Sequence, residues 1–419
     1  HLFIVSAIST GIALSILITS LYLRIIPRRL IRGRQDGFPA ALIVGLAALS
    51  YFTIDSGVCF RENTPIFINH AAKNSTYHFV ESWQLGKSLK ERYRYMDDAV
   101  CDSLIGTLFP QQTEDVTDTL LRCKRPDILL VFLESFGGVF VEELGGVPGV
   151  APNLSRLIPQ GILWDNYYSN SIRTDRGSVT LYSGCLPHPD FSLMKEEKYH
   201  AQLPSLLRSL AQEGYRTVSL MGQTMKNMGK DVYFRNMGFQ ELLDHTAFTT
   251  EEHESIWGVD DHISAQKAVR LMAEKDSCQR MFLAYQTVSS HEPWHVPYQR
   301  LEDPVLNTFA YVDQCIGDMV DSLQALPLWE NLLVIILPDH GCLYHQDFQM
   351  PEYYHSPMLW LGGAISSPRR ISVLMSQSDV AATLLSQLGI AHTEYRWSRN
   401  VLSQHYTMPF VYCNYPDGM

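Results

Sequence analysis

Five short, unbroken apolar runs constrain this chain more than any other feature: ILLVFL (128–133), TVSLMG (217–222), MFLAYQTV (281–288), LLVIIL (332–337) and PMLWLGG (357–363). Runs of this length without polar alternation suit strands covered on both faces, and helix-like segments between them, such as PSLLRSLAQEG, supply the covers. The pattern predicts an α/β fold: a mostly parallel sheet flanked by helices. It is confined to residues 126–419, which are expected to form one domain.

Upstream the texture differs. Residues 2–23 are 22 positions without a charge, enough at 1.5 Å per residue to cross a hydrocarbon layer about 30 Å thick. A second uncharged run of 18 residues covers 37–54. Residues 1–55 are therefore expected to hold two transmembrane helices. Arg24, Arg28, Arg29, Arg32 and Arg34 lie between them and place that loop in the cytoplasm by the positive-inside rule. A cleaved secretory leader would need its basic stretch before the apolar one, and here the order is reversed. The chain opens inside the first run, so earlier helices are expected to precede it. Residues 56–125 are charge-mixed and helix-prone (LGKSLKERYRYMDDAV) and read as a helical connector along the membrane surface.

Only 18% of residues are charged and 46% are apolar, in keeping with a membrane part. The net charge of −11 divides into +4 for residues 1–40 (five Arg, one Asp) and −15 for the rest (28 basic, 43 acidic). An acidic domain of that kind argues against nucleic acid as a partner. Eight cysteines without a C-x-x-C pair argue against a zinc ribbon or a thioredoxin-type centre. Outside the cytoplasm a disulfide among Cys59, Cys101 and Cys123 is expected to be permitted.

In open α/β sheets, ligands bind beyond the carboxyl ends of the strands. The run 128–133 ends in Glu134-Ser135-Phe136-Gly137-Gly138, and 332–337 ends in Pro338-Asp339-His340-Gly341. Glu134, Asp339 and His340 would offer carboxylate oxygens and one imidazole nitrogen to a divalent cation, a set suited to Mn²⁺, Mg²⁺ or Zn²⁺. A third segment, 170–184, passes from a polar turn containing Arg173, Thr174 and Arg176 into an apolar helix-like stretch. A hydroxyl at a helix start is well placed to attack phosphorus, with backbone N–H groups and Arg173 or Arg176 holding the phosphate oxygens and the metal favouring the alkoxide. The plain alternative is that Thr174 is a helix cap. In the fourth segment, Ser289-Ser290-His291-Glu292, His291 would donate a proton to a leaving alkoxide or hold a phosphate oxygen, the alternative being a loop histidine without a role. His345 and His355 end no apolar run and read as ordinary loop residues.

Taken with WGVDDH (257–262), FAYVDQCIGDMV (309–320) and PMLWLGGA, these segments resemble the lipoteichoic acid synthase-like phosphoglycerol transferases of the alkaline phosphatase and sulfatase superfamily, over roughly residues 126–400. The resemblance implies a sulfatase-like fold preceded by transmembrane helices. It also implies one Mn²⁺-type site formed by Glu134, Thr174, Asp339 and His340, with Mg²⁺ or Zn²⁺ as alternatives, and His291 as a phosphate or head-group contact. In the implied reaction Thr174 attacks the phosphorus of a membrane phospholipid and diacylglycerol leaves. The head group then passes from a phosphothreonine to an extracytoplasmic glycan or lipid acceptor, on the periplasmic side of a bacterial cytoplasmic membrane.

Two departures shape the alternatives. Cys185-Leu-Pro187-His-Pro189 has Pro where formylglycine sulfatases need Arg in C-x-P-x-R, which argues against a sulfatase-like hydrolase. Residues 221–235 show no secure match to the Trp and Arg head-group contacts of the Gram-positive enzymes, so phosphoethanolamine remains open beside glycerophosphate. A non-catalytic lipid-binding relative is the third alternative; it should have lost one of Glu134, Thr174, Asp339 and His340, and all four are present.

Overall fold

The computed structural model describes residues 93–110, 117–253, 255–347, 349–415 and 418–419. The two expected membrane spans lie outside the described residues, among which no helix is long and apolar enough to cross a membrane. Asp98–Met419 forms one compact unit.

Among its described residues that unit is built on one sheet of nine strands: β1 Asp127–Leu133, β2 Ile162–Tyr168, β3 Arg216–Met221, β4 Glu241–Leu243, β5 Met281–Gln286, β6 Leu332–Pro338, β7 His355–Leu361, β8 Arg369–Ile371 and β9 Met375–Ser376. Their order is β4-β3-β5-β1-β6-β7-β2-β8, with β9 also paired to β2. All five apolar runs are strands, and the sheet is mostly parallel as expected. The exception is β7, antiparallel to both β6 and β2. This double reversal returns β2 to the direction of β1 and β6, so the carboxyl end of β2 reaches the same sheet edge as those of β1, β5 and β6.

Helices of seven or more residues among those described are α1 Asp98–Leu108, α2 Thr174–Ser183, α3 Leu206–Gln212, α4 Lys230–Met237, α5 Asp261–Glu274, α6 Pro304–Gln324 and α7 Val380–Leu388. Strand side chains alternate between the faces of a sheet. Ile128, Leu130 and Phe132 of β1 accordingly join a core covered by α2, α3, α4 and α7, while Leu129, Val131 and Leu133 join a second core covered by α5 and α6. Burial on both faces is why β1 and β6 contain no polar residue between their ends.

Of the expected connector, α1 is helical and buries no side chain. Val100, Leu104 and Leu108 form an exposed stripe at four-residue spacing along it. Residues 117–125 are not helical: Leu120 and Leu121 are buried against the domain, with bridges from Thr117 to Ser403 and from Leu121 to Ile365. Each buried leucine contributes roughly 1.5–3 kcal/mol, which outweighs the fraction of a kcal/mol per residue that helix propensity offers. The disulfide expected in this region is not formed between described cysteines. Cys101 and Cys123 are both free thiols, and Cys123 Sγ is instead 2.8 Å from Asn331 Oδ1.

Candidate active site

The central strands set the first three residues. In the β1–β6 ladder Leu133 pairs with Pro338, so the next residues along, Glu134 and Asp339, emerge side by side at the sheet edge. Both are buried, at 1% and 0% exposure. Ser135 then turns the chain through a left-handed conformation, φ 58°, a local strain of about 1 kcal/mol or more for a non-glycine residue. That turn aims the Ser135 N–H at Asp339 Oδ1 (2.8 Å) and its hydroxyl at Glu134 Oε1 (3.1 Å).

His340 follows on the same loop. Its Nδ1 lies 2.7 Å from the Gly341 carbonyl oxygen, which can only accept, so Nδ1 carries the proton and Nε2 presents its lone pair. Nε2 faces Asp339 Oδ2 at 3.5 Å and Glu134 Oε1 at 3.7 Å. Asp339 Oδ2 is buried without a hydrogen bond of ordinary geometry, facing His340 and the Thr174 hydroxyl. One ligand atom from each of Glu134, Asp339 and His340 lies within 4.8 Å of the others. Two carboxylates, an imidazole with a free nitrogen and an orphaned buried oxygen fit a divalent cation.

Thr174 arrives from β2. Asn170 anchors the intervening turn, its amide oxygen accepting from Ser378 N (2.8 Å) and its carbonyl from Asn414 N (2.9 Å). Thr174 is the first residue of α2, and its Oγ1 lies 3.3 Å from each oxygen of Glu134. Helix α2 rests directly on β6: a Cβ placed on Gly177 would lie 2.4 Å from the Asp339 carbonyl oxygen. Gly177→Ala is expected to destabilise the fold by roughly 1–3 kcal/mol, as overpacking against backbone does. Urea unfolding measures that loss, and a weakened divalent-cation affinity would accompany it.

His291 arrives from β5. Thr287 Oγ1 accepts from Glu134 N (2.8 Å), Ser290 Oγ donates to the Glu134 carbonyl (2.6 Å), and His291 Nε2 sits 3.2 Å from Glu134 Oε1. The loop is braced from α5. Asp261 is fully buried, and its two carboxylate oxygens accept from Val288 N (2.9 Å) and Ser289 N (3.0 Å). Burial pushes the Asp261 carboxyl up to about 6 despite these bonds. Asp261→Ala strands both N–H groups and is expected to cost roughly 2–4 kcal/mol of stability. Thermal unfolding tests this, and the freed loop should lower turnover further than that loss explains. The Trp257 ring lies 4.8 Å from the His291 ring, and its indole N–H donates to the Glu292 carbonyl at 2.9 Å.

The charges interlock. Burial would raise the Glu134 carboxyl, but the His291 hydrogen bond and the charges of His291 and Lys230 hold it well below the usual carboxylate range. Burial and the neighbouring Glu134 push Asp339 up to about 6. His291 is raised: burial opposes its charge, but the hydrogen bond and charge of Glu134 prevail. Lys230, on α4, is 3% exposed; burial lowers it against the pull of Glu134, Asp339 and Asp175.

Lys230 was not among the residues singled out from sequence, although a signal existed. It stands at positions i−3, i−4 and i−7 from the buried Tyr233, Phe234 and Met237, and a cation on a helix's buried stripe needs carboxylate partners. Gln286, donating to Glu134 Oε2 at 3.3 Å, was also missed. Of the two arginines, Arg173 caps α2 beside Thr174, half exposed, with Nε 3.3 Å from Asp175 Oδ1. Arg176 donates through Nη2 to the Pro189 carbonyl at 2.6 Å. His355 is bound to the Asp165 carbonyl at 2.9 Å, and the ring of His345 packs on Tyr344.

The Sulfatase family profile matches residues 126–390. Two curated proteins match shorter stretches: arylsulfatase K of Canis lupus familiaris, 30% identical over 86 residues (19% of this chain, 16% of that protein), and phosphoglycerol transferase I of Salmonella typhi, 21% identical over 197 residues (43% and 26%). The chain thus spans about a quarter or less of these relatives. Among solved structures, an alkaline phosphatase superfamily protein from Vibrio parahaemolyticus superposes with a TM-score of 0.67 at 23% identity, covering 75% of this chain and 80% of that one. The lipoteichoic acid synthase LtaP from Listeria monocytogenes gives 0.64 at 18%, covering 73% and 84%. The C-terminal periplasmic domain of EcEptC from Escherichia coli gives 0.53 at 16%, covering 73% and 95%. At these identities the likeness is one of fold.

Proposed function

The chain belongs to the Sulfatase family, and from that premise we propose that it is a membrane-anchored, metal-dependent phosphotransferase that moves a glycerophosphate-type head group from a phospholipid to an extracytoplasmic acceptor. The observation that carries the reading is the Thr174 hydroxyl, 3.3 Å from both Glu134 oxygens at the first residue of α2 and facing the buried Asp339–His340 pair. Cys185 stands past the other end of α2, about 15 Å along the helix axis, too far to act at the same phosphorus.

Glu134, Thr174, Asp339 and His340 would hold the cation, with Mn²⁺ the proposed ion. When bound, it supplies a Lewis acid that favours the Thr174 alkoxide. Thr174 Oγ forms a bond to phosphorus as the bond from phosphorus to the diacylglycerol oxygen breaks. His291, held protonated by Glu134, gives its proton to that leaving oxygen. Lys230 and the first-turn N–H groups of α2 hold the phosphate oxygens, with Arg173 at the rim. An acceptor hydroxyl then attacks phosphorus, loses its proton to His291 and restores the threonine. Two in-line displacements retain configuration at phosphorus.

The two apolar runs before residue 55 and the likeness to a periplasmic domain support a domain held outside the cytoplasm, residues 56–125 connecting it to the membrane. The test is diacylglycerol release in detergent with Mn²⁺ from phosphatidylglycerol and from phosphatidylethanolamine. Chelator-sensitive release from phosphatidylglycerol is expected. Release only from phosphatidylethanolamine would change the donor and keep the mechanism, whereas release from neither would reject the reading.

A further inference from the structure

Fourteen large apolar side chains are exposed on the described surface, and five of them lie on three loops at the carboxyl edge of the sheet: Met228 after β3, Ile256 and Trp257 after β4, Leu343 and Met350 after β6, with Val232 close by in the first turn of α4. Scattered exposed apolar residues are ordinary, but a concentration around one opening marks a contact surface. These loops reach the catalytic cluster directly. Met228 Sδ is 3.7 Å from Arg173 Nη2, and Arg173 precedes Thr174. Trp257 packs on His291, Ile256 beside it is 77% exposed, and Leu343 lies three residues beyond His340.

Cations stand among them in a chain whose net charge is −11. Arg173 and Lys195 are about half exposed where they flank Asp175, and Lys226 is exposed two residues before Met228. Apolar side chains interleaved with exposed cations complement an anionic phospholipid surface.

We propose that this rim is an interfacial docking surface whose occupant is the phospholipid leaflet itself, entered by Ile256, Trp257, Met228 and Leu343 around the opening of the site. The inference rests on the phospholipid-donor reading above. The phosphorus of a bilayer lipid lies just above the acyl boundary, so a nucleophile reaching it in place brings the surrounding side chains to that depth. Ile, Leu, Met and Trp are stable there, whereas around a water-soluble substrate they stay hydrated at about 25 cal/mol per Å² of apolar surface. The rim therefore lets the donor be attacked without leaving the leaflet.

The test places a photoreactive amino acid at position 256 or 343 of the full chain, reconstituted with Mn²⁺ in vesicles of phosphatidylcholine and tagged phosphatidylglycerol. Position 279, exposed just before β5 at the opposite sheet edge, is the control. Light is expected to attach lipid at 256 and 343 and not at 279. Equal labelling at all three, or attachment to a second copy of the chain in place of lipid, overturns the proposal. A second arm compares I256E/L343E with the parent on vesicle lipid and on a water-soluble phosphodiester. Vesicle turnover should fall about tenfold or more, with the soluble substrate unaffected; equal loss on both also overturns the rim. A parent chain that cross-links lipid at 256 yet cleaves neither substrate would reject the phosphotransferase reading and leave the docking surface standing.

Discussion

Thr174→Ala is expected to lower diacylglycerol release by about 10³-fold or more at saturating Mn²⁺, because removing a nucleophile leaves only binding and electrostatic assistance. The fold should survive. Thr174 is not the cap of α2; that position is Arg173, and its side chain makes no capping bond. Alanine is also the better helix former, so the substitution costs little stability. Circular dichroism and urea unfolding of the variant should match the parent, which separates lost chemistry from lost structure. Thr174→Ser should keep measurable turnover, since the hydroxyl stays within reach of Glu134. Activity within tenfold of the parent in the alanine variant would remove Thr174 from the mechanism and return it to a helix-start residue.

A second large effect is expected from the metal. Excess Mn²⁺ should stabilise the parent by about 2.7 kcal/mol at a hundredfold excess over its dissociation constant, and by nothing in Glu134→Ala, which loses a ligand. Proton linkage gives this a pH signature. Asp339 must be ionised to bind the cation, and in the metal-free protein it sits at about 6, so affinity should rise as pH rises through 6. Stability without metal carries two opposite contributions. Asp339 is raised above its unfolded value, so its contribution is fully present below about pH 4 and is lost as pH rises to 6. Glu134 is depressed, so its contribution is present above its ordinary range and is lost as pH falls below it. Calorimetry at pH 5 and 7, with and without Mn²⁺, separates these. A cation affinity that did not change over that interval would take Asp339 out of the ligand set.

What could be read from the sequence follows from what burial does to side chains. Strands β1, β3, β5, β6 and β7 are covered on both faces and left continuous apolar runs. Strand β2 carries Asp165 and Asn166 where its pairing with β7 shifts register, so its run is broken. Strands β4, β8 and β9 are two or three residues long, too short to leave a period. Glu134, Asp339, His340 and His291 were legible because each follows the end of a buried strand by a few residues, where open α/β sheets place their ligands. Which way Arg176 points was not legible, since its partner is the Pro189 carbonyl thirteen residues on. The bracing role of Asp261 depends on N–H groups at 288 and 289, brought close only by the packing of α5 against β5.

Helix α2 meets the end of β6 through a glycine set against the backbone of Asp339, so Thr174, the proposed nucleophile, and Asp339, a proposed cation ligand, are fixed to one another by backbone packing. On the proposed reading, the loops bearing Trp257, Met228 and Leu343, and with them the head group or the acceptor, can change without altering the spacing of Thr174 and Asp339. That spacing belongs to the scaffold, and on this reading the choice of molecule is left to its edge.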